Sequence, residues 1–472
     1  MRVGSSAAIA VALLALATVS VSAQPALSQE EALQVAVDAY IYAYPLVTLD
    51  MTRKQQTNVA APDAAHAPQG QFLRMRSYYP VDSKAVPAPN TDTLYTIAWL
   101  DVSKEPSVIK IPDMGDRYYM LPMLDGWSNV FSVPSTRTTG QKAQTYVITG
   151  PGWSGALPSG VSQIKAPTGM VWVLGRIYST GTPEDYVAVH AIQDQITAQP
   201  LSSYGRSYSA PAGVVDQKLD MKTPTKEQVD ALSTNDFFAY FSELVKTNPP
   251  LQGDRLKLDE IAQIGIVPGK DFDSSKLAAY DPVANASVPK LARKKMGELL
   301  SAQKLTNGWQ YFTNVGDYGT DYLMRALANW MGPGWNRPQD AVYPISLKSA
   351  DGSAYDGSKH SYLIHFGKGM MPPVKGFWSL TLYDDQYFLV PNSINRYTLS
   401  QRDKLVENAD GSVDLYLQSE SPGAARQANW LPAPKGPFTL MLRLYWPSTT
   451  GPSLLDGTWQ PPLVQTGESP AR

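Results

Sequence analysis

The stretch Phe438-Thr-Leu-Met-Leu-Arg-Leu-Tyr-Trp446 decides the fold class. Phe438, Leu440, Leu442, Leu444 and Trp446 share one face, and Thr439, Arg443 and Tyr445 share the other. A side-chain period of two is that of a β-strand. Working back from it, Tyr362–Phe366, Phe377–Tyr383, Phe388–Val390 and Leu415–Gln418 read as strands. Asp351-Gly352, Asp356-Gly357 and Asp410-Gly411 supply turn signals between them. The same texture occupies residues 93 to 178. Leu94–Leu100, Tyr118–Leu121, Val130–Val133, Tyr146–Ile148 and Val171–Tyr178 are punctuated there by proline and glycine.

Helices fill the space between. Thr182-Pro183-Glu184-Asp185 joins an N-cap, a first-turn proline and acids that face the helix dipole. Phe237, Phe238, Phe241, Leu244 and Val245 form an apolar stripe. Leu256, Ile261 and Ile264, then Leu291 to Leu300, then Tyr322, Ala326 and Trp330 mark further helices. Near the start, Ser28-Gln-Glu-Glu31 has capping-box spacing, and Leu33, Val37, Tyr40, Ile41 and Tyr44 follow at helical intervals. Pro45 is expected to end that helix. Residues 55–90 and 200–220 read as surface segments.

The expected fold is α+β: two antiparallel β-sandwich-like parts with a mainly helical middle. The expected division is 1–23 signal peptide, 24–180 N-terminal part, 181–335 helical segment and 336–472 C-terminal part. An internal echo supports two related β units. Leu124-Asp125 leads to Phe131-Ser-Val-Pro134, Tyr383-Asp384 leads to Phe388-Leu-Val-Pro391, and an arginine follows each proline, Arg137 and Arg396.

The signal peptide rests on Arg2, the apolar run Ala7 to Ala17 and the small residues Val21-Ser-Ala23 before Gln24. That run is shorter than the ~20 apolar residues a membrane span needs. Export to periplasm or medium, with no stable membrane insertion after cleavage, is therefore expected. Net charge is −2, which points to no nucleic-acid partner. Cysteine is absent, so thiolate metal sites, cysteine nucleophiles and redox pairs are excluded.

The family strings come next. Tyr40-Ile-Tyr-Ala-Tyr-Pro-Leu-Val47, Pro89-Asn-Thr-Asp-Thr-Leu-Tyr95, Ala98-Trp-Leu-Asp101, Arg117-Tyr-Tyr-Met-Leu-Pro-Met-Leu-Asp-Gly-Trp127 and Thr136-Arg-Thr-Thr-Gly140 stand in the first part. Gly376-Phe-Trp-Ser-Leu-Thr-Leu-Tyr-Asp384, Arg396-Tyr397, Asp410-Gly-Ser412, Asn429-Trp-Leu-Pro-Ala-Pro434 and Arg443-Leu-Tyr-Trp-Pro447 stand in the second. Together they resemble the two-domain family of uncharacterised bacterial proteins built from DUF1254 and DUF1214. The resemblance implies a mixed α/β assembly with sandwich-like sheets in both parts. It implies no activity.

The chemistry is less determined. His66, His190, His360 and His365 lack metal-ligand spacing, and His360 and His365 fall on opposite strand faces. No calcium loop, nucleophile elbow, P-loop or dinucleotide fingerprint is present. No metal and no cofactor are expected. The candidate catalytic carboxylates are Asp92 and Asp125, in strings that also hold Asn90, Tyr95, Trp127, Asn129 and Arg137 as candidate substrate contacts. Asp125 before Gly126 is equally ordinary turn chemistry. Arg137 could clamp a substrate carboxylate, and an internal tie to Asp92 or Asp125 is the favoured reading. Two functions stay open: an exported carboxylate-based, hydrolase-like enzyme acting on a small molecule or polymer, and a non-catalytic ligand- or partner-binding protein. Oligomeric state is open too.

Overall fold

A computed structural model describes residues 27–84 and 86–467; the signal-peptide segment lies outside them. The fold is α+β, with two β-rich units and a helical layer built from α1 at the start of the described chain and from helices between the two units in sequence. The N-terminal unit contains β1 (Leu73–Arg74), β2 (Thr93–Asp101), β3 (Ser107–Ile111), β4 (Tyr119–Met120), β5 (Met123–Asp125) and β6 (Val130–Ser132). It continues with β7 (Gln144–Thr149), β8 (Ser162–Lys165), β9 (Met170–Tyr178) and β10 (Thr197–Pro200). The C-terminal unit contains β11 (Trp309–Gln310), β12 (Ala341–Val342), β13 (Ile345–Ser346), β14 (Tyr362–Phe366) and β15 (Val374–Asp384). It continues with β16 (Thr398–Ser400), β17 (Val413–Gln418), β18 (Trp430–Pro432), β19 (Phe438–Pro447) and β20 (Val464–Thr466).

Each unit is two sheets packed face to face, and the two units share one topology. The order β1-β2-β9-β5-β6 matches β11-β13-β19-β15-β16; β4 extends the β5 edge of β9 and corresponds to part of the long β15, and β12 extends the β13 edge of β19 and corresponds to part of the long β2. The order β10-β3-β7-β8 matches β20-β14-β17-β18, and each four-stranded sheet ends in one parallel pair, β7 with β8 and β17 with β18. The echo read in the sequence is thus a repeated fold. Its loops agree atom for atom. The Asp125 carboxylate accepts from the N–H groups of Trp127 and Asn129, and the Asp384 carboxylate accepts from those of Gln386 and Phe388. Ser128 and Tyr387, the fourth residues of the two loops, both have positive φ. The sequence match was two residues out of phase, however. Leu124 faces Val130 and Tyr383 faces Leu389, so Val130 and Leu389 correspond. Phe388–Val390 is not a strand: Asp384 closes a tight turn over it, and only Leu389 makes a bridge.

The helical layer consists of α1 (Gln29–Thr57), α2 (Pro183–Gln195), α3 (Thr225–Asp230), α4 (Thr234–Val245), α5 (Arg255–Ile261), α6 (Ser274–Ala278), α7 (Pro282–Ala286), α8 (Val288–Ser301) and α9 (Tyr322–Met331). Pro45 does not end α1, which runs on to Thr57. A mid-helix proline costs ~3 kcal/mol. Leu46, Val47 and Leu49 beyond it are fully buried, and three such side chains return more than that, at about 1.5–3 kcal/mol each. Tyr40, Tyr42 and Tyr44 lie in the same core, with Tyr40 stacked 3.9 Å from Phe237. α1 therefore belongs to the helical layer and not to the N-terminal β unit. The N-terminal unit also runs past 180: α2 packs on it, and β10 pairs with β3 up to Pro200.

Candidate functional site

The two β units meet through matching faces. Alternation along β19 sends Leu440, Leu442 and Leu444 into the C-terminal sandwich and leaves Met441, Arg443 and Tyr445 facing the N-terminal unit. At the centre are Tyr118 and Tyr178 from one unit and Phe377 and Tyr445 from the other. Ring centroids lie 5.4 Å apart for Tyr118–Phe377, 4.6 Å for Tyr178–Phe377 and 4.3 Å for Phe377–Tyr445.

Ion pairs cross this boundary in both directions. Asp92 of the N-terminal unit lies 3.3 Å from Arg402 of the C-terminal unit, and Asp340 of the C-terminal unit lies 2.8 Å from Arg137 of the N-terminal unit. The members correspond. Asp92-Thr-Leu-Tyr95 and Asp340-Ala-Val-Tyr343 lead into β2 and β12. Ser135 and Ser400, each two residues before its arginine, occupy like positions opposite Met120 on β4 and Ser379 on β15. Arg137 is thus an internal tie, to Asp340 and not to Asp92 or Asp125. Its counterpart is Arg402, whereas Arg396 instead donates to the carbonyls of Gln427 and Trp430.

Beside the aromatic centre is a pocket of about 440 Å³ lined by both units. Asn90, Tyr95 and Arg176 come from the N-terminal unit, and Tyr343, Met441 and Arg443 from the C-terminal unit. Tyr95 faces Arg176 in register, so both project from one side of the sheet. Tyr343 faces Arg443 in the register fixed by Val342↔Leu444 and Ile345↔Met441. The two tyrosine–arginine pairs are therefore the same positions of the repeated fold.

Both arginines are nearly inaccessible, at 6% and 3% exposure. Their hydrogen bonds go to uncharged oxygens: Arg176 donates to the Leu174 carbonyl and Asn336 Oδ1, and Arg443 to Thr381, Tyr383 and the Ala88 carbonyl. Arg176 Nε has no partner among the described residues. Burial alone would raise the Tyr95 phenol. The Arg176 charge and hydrogen bonds from Arg176 and Asn90 outweigh it and hold Tyr95 below its usual range. Tyr343 is raised by burial, against the same arginines.

The expected site residues divide among three places. Asn90 and Tyr95 line the pocket. Asp92 is fully buried behind it, held by Ser379 and Arg402. Asp125, Trp127 and Asn129 lie at the far end of the sheet against the helical layer. There Trp127 donates to the Pro249 carbonyl, and Arg325 sits 5.2 Å from the Trp127 ring. Asp92 is bonded beside Ser179, and Asp125 faces Val171. Eight residues along one strand direction separate carboxylates by about 26 Å at ~3.3 Å per residue. Glycosidic chemistry needs its two carboxylates within about 9.5 Å, so these two do not form such a pair. Arg176, Arg443, Tyr343 and Asn336 were not read as site residues, although Arg443 stood in a family string. The signal that would have found the two arginines is Arg-aliphatic-Tyr in both long strands, Arg176-Ile-Tyr178 and Arg443-Leu-Tyr445.

A larger cleft of about 700 Å³ opens on the other side of Tyr118, Tyr178 and Phe377. Its Arg117, Asp185 and Arg402 are consumed by ion pairs, which leaves less charge for a ligand.

These features define a two-unit α+β protein with a pocket where its two repeated units meet. The chain belongs to the two-domain family that carries DUF1254, matched over residues 69–200, and DUF1214, matched over 340–449, each described as a protein of unknown function. The VPA0106 protein from Vibrio parahaemolyticus is similar in structure, with 25% sequence identity and a TM-score of 0.70 over 93% of this chain and all of that one. An uncharacterised protein from Burkholderia cenocepacia aligns at 14% identity and a TM-score of 0.40, over 93% of this chain and 92% of its own. No curated protein matches the chain.

Proposed function

We propose that this protein binds a small organic anion in the pocket between its two β units. One observation carries the reading. Arg176 and Arg443 are buried at the wall of one pocket and bonded only to neutral oxygens. The carboxylates in electrostatic reach, Asp92 of Arg443 and Asp340 of Arg176, are each already hydrogen-bonded to another arginine; a buried charge short of counter-charge is costly, and an anionic ligand supplies the balance. Met331, Pro333, Trp335 and Ile345 offer an apolar wall, so the anion has a hydrocarbon body. Thermal-shift measurement with a panel of carboxylates, phosphates and neutral analogues tests it. Anions should raise the melting temperature and Arg176→Gln should diminish the rise. Equal shifts from neutral analogues would remove the reading.

A catalytic variant of the same site is favoured by Tyr95 alone, whose phenol is held low against an arginine and can exchange a proton with a bound ligand. Tyr95→Phe would then retain binding and lose turnover. The signal-like N-terminus supports action outside the cytoplasm. A periplasmic or secreted chain beginning at Gln24 is the expected product, and a cytosolic chain retaining Met1 would overturn it.

A further inference from the structure

We propose that the ligand is a two-ended dicarboxylate, with one carboxylate seated on each arginine–tyrosine pair; this rests on the small-anion reading above. The face between the units holds four guanidinium groups, from Arg137, Arg176, Arg402 and Arg443, and two carboxylates, from Asp92 and Asp340. Those carboxylates are taken by Arg137 and Arg402. The neighbouring Arg337 pairs outward with Asp317. Two positive charges are left, and a monoanion would answer only one.

Placement matters as much as number. The unanswered charges are not adjacent side chains of one strand. One comes from β9 and one from β19, the middle strands of the two six-stranded sheets, at like positions of the repeated fold. Each has a tyrosine across the ladder, Tyr95 or Tyr343, to add a hydroxyl donor. Asparagines fix the ends differently. Asn336 donates to the Tyr343 hydroxyl and accepts from Arg176, whereas Asn90 donates to the Tyr445 hydroxyl. The seats are therefore paired but not identical, and the apolar wall between them suits a hydrocarbon spacer.

The test is calorimetric titration of the full chain with three arms: straight-chain monocarboxylates, α,ω-dicarboxylates of matched carbon number over a range of lengths, and inorganic phosphate. One dicarboxylate length should bind tighter than its matched monocarboxylate by roughly 10- to 100-fold, the value of a second charged hydrogen-bonded contact. Arg176→Gln and Arg443→Gln should each bring that dicarboxylate down to the monocarboxylate level. Equal affinity for matched mono- and dicarboxylates would overturn the two-ended reading while the anion pocket stands. Phosphate binding tighter than every dicarboxylate would overturn it as well. Binding of none of the three would remove both readings. The ligand series on the unsubstituted chain decides the matter even if a buried arginine variant fails to fold.

Discussion

Replacing Arg137 by Gln separates a structural tie from a substrate clamp. Asp340 is 1% exposed on its side chain, and its Oδ1 takes Arg137 Nε at 2.8 Å while Oδ2 has no partner among the described residues. Removing one member of a buried pair costs about 3–5 kcal/mol, because the other stays buried and uncompensated. Arg137 keeps 24% of its side chain exposed, so the lower end, about 3 kcal/mol, applies. The reverse change, Asp340→Asn, strands an arginine that can reach water and costs ~1 kcal/mol. A cycle of both singles and the double should give ~2 kcal/mol of coupling. Burial raises the Asp340 carboxyl, against the hydrogen bond and charge of Arg137. A group raised in the folded state contributes its stability below its unfolded value of ~3.9 and loses it as pH rises through the folded one. Without Arg137 that loss grows, so the deficit of Arg137→Gln should be widest at neutral pH and should narrow toward pH 4. Urea unfolding followed by tryptophan fluorescence at pH 7.5 and pH 5 measures it. Full stability at pH 7.5 together with lost ligand affinity would refute the tie and restore the clamp. By the repeat, Arg402→Gln should give a loss of the same order.

Two further outcomes follow from the packing. Burial pushes the Asp125 carboxyl up to about 6, against the N–H groups of Asn129 and Trp127 and the Arg325 charge. The two-unit rise above its unfolded value means that about 3 kcal/mol present below pH 4 is lost as pH climbs through 6; Asp125→Asn should remove that slope from the stability profile, and parallel profiles would contradict it. Gly376 lies in β15 where an added Cβ would sit 2.7 Å from the Tyr445 carbonyl and 3.0 Å from the Tyr118 ring. Gly376→Ala should cost about 1–3 kcal/mol, lower the melting temperature and weaken the near-ultraviolet circular dichroism of the aromatic centre; an unchanged melting curve would show that the two units do not meet there.

The elements that the sequence made legible are those whose periodicity reports local burial. β14 was read to the residue, and β2, β9, β15 and β19 to within a few residues at each end, because alternating or continuous apolar runs between turn residues leave little choice of conformation. The Thr182 cap and the aromatic stripe of α4 were equally plain. Pro45 was misread because local propensity was weighed without the bundle that surrounds α1. Short strands such as β5 and β8 carry too few residues for a period to show. The site was harder. Asp92, Asp125 and Arg137 drew attention as charged residues inside long strings, yet all three are held by partners hundreds of residues away or by their own turn.

The pocket residues become legible only once the repeat is taken as a physical constraint. Two sandwiches of one topology, joined through like faces, place corresponding side chains around an approximate dyad. Off that dyad a charged residue meets a different neighbour and can be neutralised, as Asp92 is by Arg402 and Asp340 by Arg137. Close to the dyad a residue faces its own counterpart, and like charges then meet like. Arg176 and Arg443 line one pocket together, and the carboxylates in reach of them, Asp340 and Asp92, are already hydrogen-bonded to Arg137 and Arg402. A lone arginine in an apolar strand of one sandwich would be an isolated defect. The same arginine in both, at one pocket, concentrates positive charge where an anionic ligand is proposed. The feature that fixes the fold, the repeat, thus also points to the candidate site.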